Sequence, residues 1–220
     1  LYLGRSSGKI DDQLVNNGTV LLDQQGDTTI NSQALFTEVN WRFVEDWELI
    51  SGLRWDHEKN HTEIVYPVDA LGIATDPVAD EKLSSSVLLP KIGISHDLSD
   101  TQLIGLTWQR GYRSGGVNVR TRAAHDSYDP EFTSTFELAW RASWLDRRLR
   151  TSANLYHTDW KDQQVSFLNL SDNTVQVANA ASSRMIGLEL SAEYLLNAQW
   201  LLNAGFAYND TKYEDLSLIH

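Results

Sequence analysis

Apolar and polar side chains alternate with period two along most of this chain, and that constrains the fold more than any motif does. Across residues 33–58 the odd positions Leu35, Val39, Trp41, Phe43, Trp47, Leu49, Leu53 and Trp55 are apolar, whereas the even ones include Glu38, Arg42, Glu48 and Arg54. Successive side chains of a β-strand point to opposite faces, so this pattern describes a hairpin with one greasy and one wet face. The same alternation predicts strands near 84–97, 102–113, 132–144, 149–160, 184–195 and 200–213, about eight long strands in all.

Their length favours a membrane wall. Strands of globular proteins run to about five or six residues, while a tilted strand needs about nine to eleven to cross a bilayer. The apolar faces carry Leu88, Ile92 and Ile94, then Ile104, Leu106 and Trp108, then Phe136, Leu138 and Trp140, then Ile186, Leu188 and Leu190, with Arg110 and Asp159 only near strand ends. A Lys or Arg on a lipid face costs about 2 to 4 kcal/mol at the bilayer midplane, so a face this clean is fit to meet lipid. The opposite face is expected to line a wet lumen with Glu38, Arg42, Arg54, Glu137, Arg141, Glu189 and Glu193. Those groups either pair across strands or touch whatever fills the lumen, with pairing inside the wall the expected case; Arg42 should face Glu48.

The connections alternate between short and long. Residues 45–46, 98–101, 145–148 and 197–199 are tight, rich in the Asp, Asn and Ser of turns. Residues 59–83, 114–131 and 161–183 are long external loops, functional or partly ordered as extra hairpin. Short links on one side and long links on the other are the pattern of outer-membrane barrels. Trp47, Trp144 and Trp200 beside the short turns, and Tyr112 and Trp160 nearer the long loops, are placed as two interfacial girdles would be. Residues 1–32 are expected to be mainly external loop, with Leu1 to Leu3 the tip of an upstream strand, and 214–220 the start of a further loop. Both outermost strands then end on the long-loop side, so the expected wall is partial, lacking at least one strand at each end. No signal peptide opens the sequence, which suits an excised segment.

Composition narrows the partners. The net charge of -12 argues against nucleic acid, which calls for a basic face. The chain has no cysteine, which excludes disulfides and Cys-ligated metal.

Several segments, in order, carry a family resemblance: Leu89-Pro90-Lys91-Ile92-Gly93, Arg110-Gly111-Tyr112-Arg113-Ser114-Gly115-Gly116-Val117-Asn118, Tyr128-Asp129-Pro130-Glu131, Asp159-Trp160-Lys161-Asp162-Gln163-Gln164 and Gly187-Leu188-Glu189-Leu190. Together they resemble the C-terminal part of a TonB-dependent outer-membrane receptor barrel. The resemblance implies an all-β, antiparallel, up-and-down transmembrane barrel of about 22 strands, in the outer membrane of a Gram-negative bacterium. It further implies a separate plug domain, the TonB energy-coupling protein as partner, and a scarce nutrient such as a ferric siderophore as cargo. Neither the plug nor the TonB-contacting segment is in this sequence.

Two patterns invite chemistry. His57-Glu58-Lys59-Asn60-His61 matches the H-E-x-x-H zinc motif, which needs a helix; the period-two residues before it argue strand, so no metal site is expected. Arg120 and Arg122, with His125 and Tyr128, are candidate ligand contacts, since guanidinium groups grip anionic oxygens bidentately; a plain solvated loop is the duller reading. No nucleophile sits beside a base in a recognisable pattern, so no catalytic residue, cofactor or enzymatic activity is expected. Two other readings fit parts of the sequence: a small complete eight-stranded barrel with an adhesive or structural role, and a soluble all-β carbohydrate-binding module.

Overall fold

The computed structural model describes residues 1–70, 72, 78–118, 127–169 and 174–216. Its strands are β1 (Tyr2–Asn16), β2 (Thr19–Val44), β3 (Trp47–Asp69), β4 (Val78–Ser99), β5 (Gln102–Arg113), β6 (Gly116–Val117), β7 (Ser127–Tyr128), β8 (Glu131–Trp144), β9 (Leu149–Asn169), β10 (Thr174–Asn197) and β11 (Trp200–Leu216). Nine of them form one antiparallel sheet in the order β1-β2-β3-β4-β5-β8-β9-β10-β11, and β6 pairs only with β7. Each long strand therefore lies beside its neighbours in sequence, as in an up-and-down barrel wall. β1 and β11 are the two edges, so the sheet is an arc. Nine strands and open edges do not make the small eight-stranded barrel.

The main departure from expectation is at the start of the chain. Residues 4–32, expected as external loop, form a hairpin in which Tyr2 pairs with Ala34 and Asn16 with Thr19. Asn17 (φ 48°) and Gly18 (φ 80°) make its turn, the Asn-Gly pair that suits a two-residue hairpin because both positions need positive φ. The mostly polar stretches further along its two strands, 4–13 and 23–31, hid it. The links at 59–83 and 161–183 are likewise mostly strand, since β3 runs to Asp69, β4 starts at Val78, β9 runs to Asn169 and β10 starts at Thr174. β2, β3 and β10 have 26, 23 and 24 residues. At about 3.3 Å per residue each exceeds 75 Å, roughly three times the height of a barrel's apolar band. These hairpins project well past a membrane, whereas β5 and β8, of 12 and 14 residues, do not.

Register turns alternation along each strand into two faces of the sheet. Trp41, Leu49, Ile94, Leu106, Leu138, Leu155, Leu188 and Tyr208 are successive cross-strand partners on eight adjacent strands. One residue along, the partners are Arg42, Glu48, Ser95, Gly105, Ala139, Asn154, Glu189 and Ala207. The apolar row is open to the surroundings: Leu106 is 48% exposed, Leu138 41% and Tyr208 58%. Among the described residues the only buried hydrophobic side chains are Ile64 and four alanines. A soluble sandwich or lectin-like module would hide such a row in a dry core; here nothing covers it.

The wet face is shaped by glycines at close approaches. A Cβ on Gly187 would run into the ring of Tyr156, its partner on β9, whose hydroxyl donates to Asn209 on β11.

The two faces give a paired test on adjacent residues. Leu138→Arg should cost about 2 to 4 kcal/mol in lipid vesicles, whereas Glu137→Arg should cost less than about 0.5 kcal/mol, as read by denaturant unfolding. Gly187→Leu should cost about 1 to 3 kcal/mol by overpacking.

Candidate functional site

Parity places all seven expected lumen residues, Glu38, Arg42, Arg54, Glu137, Arg141, Glu189 and Glu193, on the wet face. Their pairing is less complete than expected. Arg42 does face Glu48 across the β2–β3 turn, but its guanidinium Nη2 lies 3.2 Å from Asp97 Oδ2. The turn sets Val44 opposite Trp47, with a bulge before it. Lys91 Nζ reaches Glu38 Oε2 at 2.9 Å, Arg54 grips Asp56 at 2.5 and 2.7 Å, and Arg150 lies 3.6 Å from Glu193. Glu137, Arg141 and Glu189 have no ionic partner among the described residues. Arg141, Arg147 and Arg150 line, with Asp97, Asp100 and Glu193, a cleft of about 610 Å³ near the short turns.

The described ends of the link between β5 and β8 are tied down. Glu131, only 2% exposed, accepts from Arg113 Nε at 2.8 Å and from the Gln164 backbone N–H at 2.6 Å. The Gln164 side-chain amide donates to the carbonyls of Ser114 (2.9 Å) and Asp129 (3.0 Å). Asn179 accepts from the Asp129 N–H at 2.6 Å and donates to its carbonyl at 2.8 Å. Asn118 brackets Val177 in the same way, at 2.8 and 2.7 Å. Three amide side chains thus stand in for strand pairing and hold both ends of the link against β9 and β10. The sequence offered these residues only as pieces of a family pattern. Nothing in their spacing marks them as a latch, because the partners lie up to 59 residues apart.

Tyr128 lies beside this latch and lines a small cavity of about 100 Å³ with Glu58, Asn60 and Asp129. Arg120, Arg122 and His125 fall outside the described residues.

The aromatic girdle needs one correction. Trp47 stacks on His96 at 4.2 Å, Trp144 leans on Trp140 at 6.1 Å, and Trp200 opens β11 61% exposed; all three end apolar faces beside short turns. Tyr112 stacks on Phe132 at the top of β5. Trp160, however, pairs with Thr133 and shares the face of Tyr156 and Asn154, the wet one. Parity counted from Leu155 places it there, and proximity to a strand end misled the expectation. Its indole N–H is buried with no partner among the described residues.

The H-E-x-x-H segment lies within β3. Four residues along a strand span about 13 Å, too far for two histidines to share one ion. A different trio does converge: ligand atoms of His61, Glu63 and Asp80 lie within 4.8 Å of one another. Asp80 is already engaged, by His61 Nε2 at 2.7 Å and Lys82 Nζ at 3.2 Å. Those two hydrogen bonds, His61 first, hold its carboxyl below the ordinary value of 3.8.

A two-faced sheet with a latched link and tall hairpins is the wall of an outer-membrane-type barrel, and the comparisons name the family. The family described as TonB dependent receptor-like, beta-barrel, matches residues 3–218. The chain belongs to that family. It is 23% identical over 195 residues to a probable TonB-dependent siderophore receptor, PiuA, of Acinetobacter baumannii, covering 84% of this chain and 24% of that protein. Against the pesticin receptor of Yersinia enterocolitica it is 25% identical over 182 residues, covering 81% of this chain and 26% of the receptor. The chain therefore spans about a quarter of the length of these curated relatives. Among solved structures, the ferric yersiniabactin uptake receptor FyuA from Yersinia pestis superposes with a TM-score of 0.81 at 18% identity, over 98% of this chain and 32% of that one. The RagAB peptide transporter superposes at 0.53 and 12% identity, over 90% of this chain and 31% of that one. As members of this family are receptors and transporters, no catalytic role attaches to the fold.

Two outcomes test this geometry. Glu131→Ala should cost about 2 kcal/mol and speed amide exchange across residues 114–118 and 127–131 more than elsewhere. A lowered carboxylate stabilises fully above its ordinary value and loses that contribution as pH falls through the lowered one. Exchange near His61 and Asp80 should therefore rise only below about pH 4, and Asp80→Asn should abolish that dependence.

Proposed function

We propose that this chain is the wall and external-hairpin section of an outer-membrane receptor of a Gram-negative bacterium that takes up a ferric siderophore with energy relayed by TonB. The observation that carries the membrane placement is the row of eight apolar partners open to the outside, backed by a wet face one residue away. The cargo rests on the relatives: one is described as a siderophore receptor, and the solved neighbour FyuA is described as taking up ferric yersiniabactin. The fold itself is indifferent to cargo, since a copper transporter and a peptide transporter share it.

In this reading the wet face lines the lumen and meets a plug domain. Half-buried Glu137 and exposed Arg141 and Glu189 support that role, because charges without an ionic partner among the described residues are available to pair with a second body. The arginines around the cleft near the short turns would receive acidic plug side chains. On this reading the external link supplies the ligand contacts Arg120, Arg122, His125 and Tyr128, and the latch on Gln164 and Asn179 holds Ser114 and Asp129 at its two ends.

Binding of a radiolabelled ferric siderophore to cells producing the receptor tests the cargo. Arg120→Ala with Arg122→Ala should weaken binding at least about thirtyfold, roughly 2 kcal/mol; unchanged affinity would remove these arginines from the site. A protein that stays monodisperse without detergent would refute the membrane placement itself.

A further inference from the structure

Reading outward along the lipid-side face of β1 to β4, the apolar band ends at Leu3, Leu35, Trp55 and Leu88. Trp55 marks the boundary by its chemistry: its ring lies with the apolar residues and its indole N–H donates 2.9 Å to Ser86 Oγ, on the side away from the band. Tryptophan collects at such interfaces because one end is apolar and the other wants water.

Beyond the row Leu3, Gln33, His57 and Ser86, the next register row crosses the same four strands with Arg5, Asn31, Lys59 and Ser84. Arg5, Asn31 and Lys59 are exposed, and among the described residues none has a hydrogen-bond or ionic partner. The row above holds His61 and Lys82, again partners. Acidic groups on this face come only one row further out, where Asp27, Glu63 and Asp80 follow Lys9; there Asp80 is held by His61 and Lys82.

A patch of uncompensated cations at the edge of the apolar band is unexpected in a chain of net charge -12. Adjacent strands lie about 4.8 Å apart, so Arg5 and Lys59, two strands apart, can both reach one doubly charged headgroup, with the Asn31 amide between them. Basic side chains beside a bilayer attract anionic lipid, and a guanidinium grips phosphate bidentately. We propose that Arg5, Asn31 and Lys59, with Lys82 flanking, bind the phosphorylated sugar headgroup of an outer-leaflet glycolipid. The inference rests on the membrane placement of this face, but not on any cargo.

The test is titration of bis-phosphorylated lipid A, and of the same lipid with its phosphates removed, into the protein in micelles of a zwitterionic detergent. The bis-phosphorylated form should bind tightly and the dephosphorylated one weakly. Arg5→Gln with Lys59→Gln should lose about thirtyfold, since each such cation contributes about a fivefold factor at an anionic surface. Strand content by circular dichroism should stay unchanged, and Lys9→Gln, further from the band, should lose less than the double variant. Equal binding of the two lipids, or an unaltered double variant, would overturn the proposal. Displacement by millimolar inorganic phosphate would reduce the patch to a general anion site and overturn it as well. Failure of the membrane placement is a separate result, seen as a protein that needs no detergent.

Discussion

Everything in this structure depends on the pairing of alternation with register. A strand's period-two pattern gives it two faces, but nine strands share those faces only if each cross-strand partner has matching parity. From Trp41 to Tyr208 that condition holds without a break over eight strands. A one-residue slip of any strand would put its apolar side chains on the wet face and its charges into lipid, at about 2 to 4 kcal/mol for each basic group near midplane. Register in such a wall is therefore specified by solvent on one side and hydrocarbon on the other, in place of a packed core.

That constraint relaxes where the hairpins leave the apolar band. Beyond Leu35, Trp55 and Leu88 both faces are wet, so side chains are free to vary, and the charged rows of β1 to β4 appear. β5 and β8 stop short, and the link between them is fastened by Glu131, Gln164, Asn179 and Asn118. Each of these replaces a missing ladder bond with a side-chain one, which fixes both ends of the link without lengthening its strands.

The strands of the membrane band were legible in the sequence because alternation is local, and so were the short turns. The face that carries the charges followed by counting parity, as Glu137 and Glu189 show; Trp160 was misplaced when nearness to a strand end was trusted over parity. The hairpin at Asn17-Gly18 carried its turn signal openly, yet the polar stretches 4–13 and 23–31 along its strands read as loop because beyond the membrane neither face needs to be apolar. Ion pairing was not legible: Arg42 faces Glu48 as expected but binds Asp97 on another strand.

By itself, then, the sequence determined the fold class, the two faces and the family, since these depend on residue type at short spacing. Tertiary structure alone decided which distant residues meet: the Asn118–Val177 latch, the convergence of His61 with Asp80, and the row joining Arg5 to Lys59. Those contacts join positions up to 59 residues apart, and only the strand register, accumulated across the sheet, brings them together.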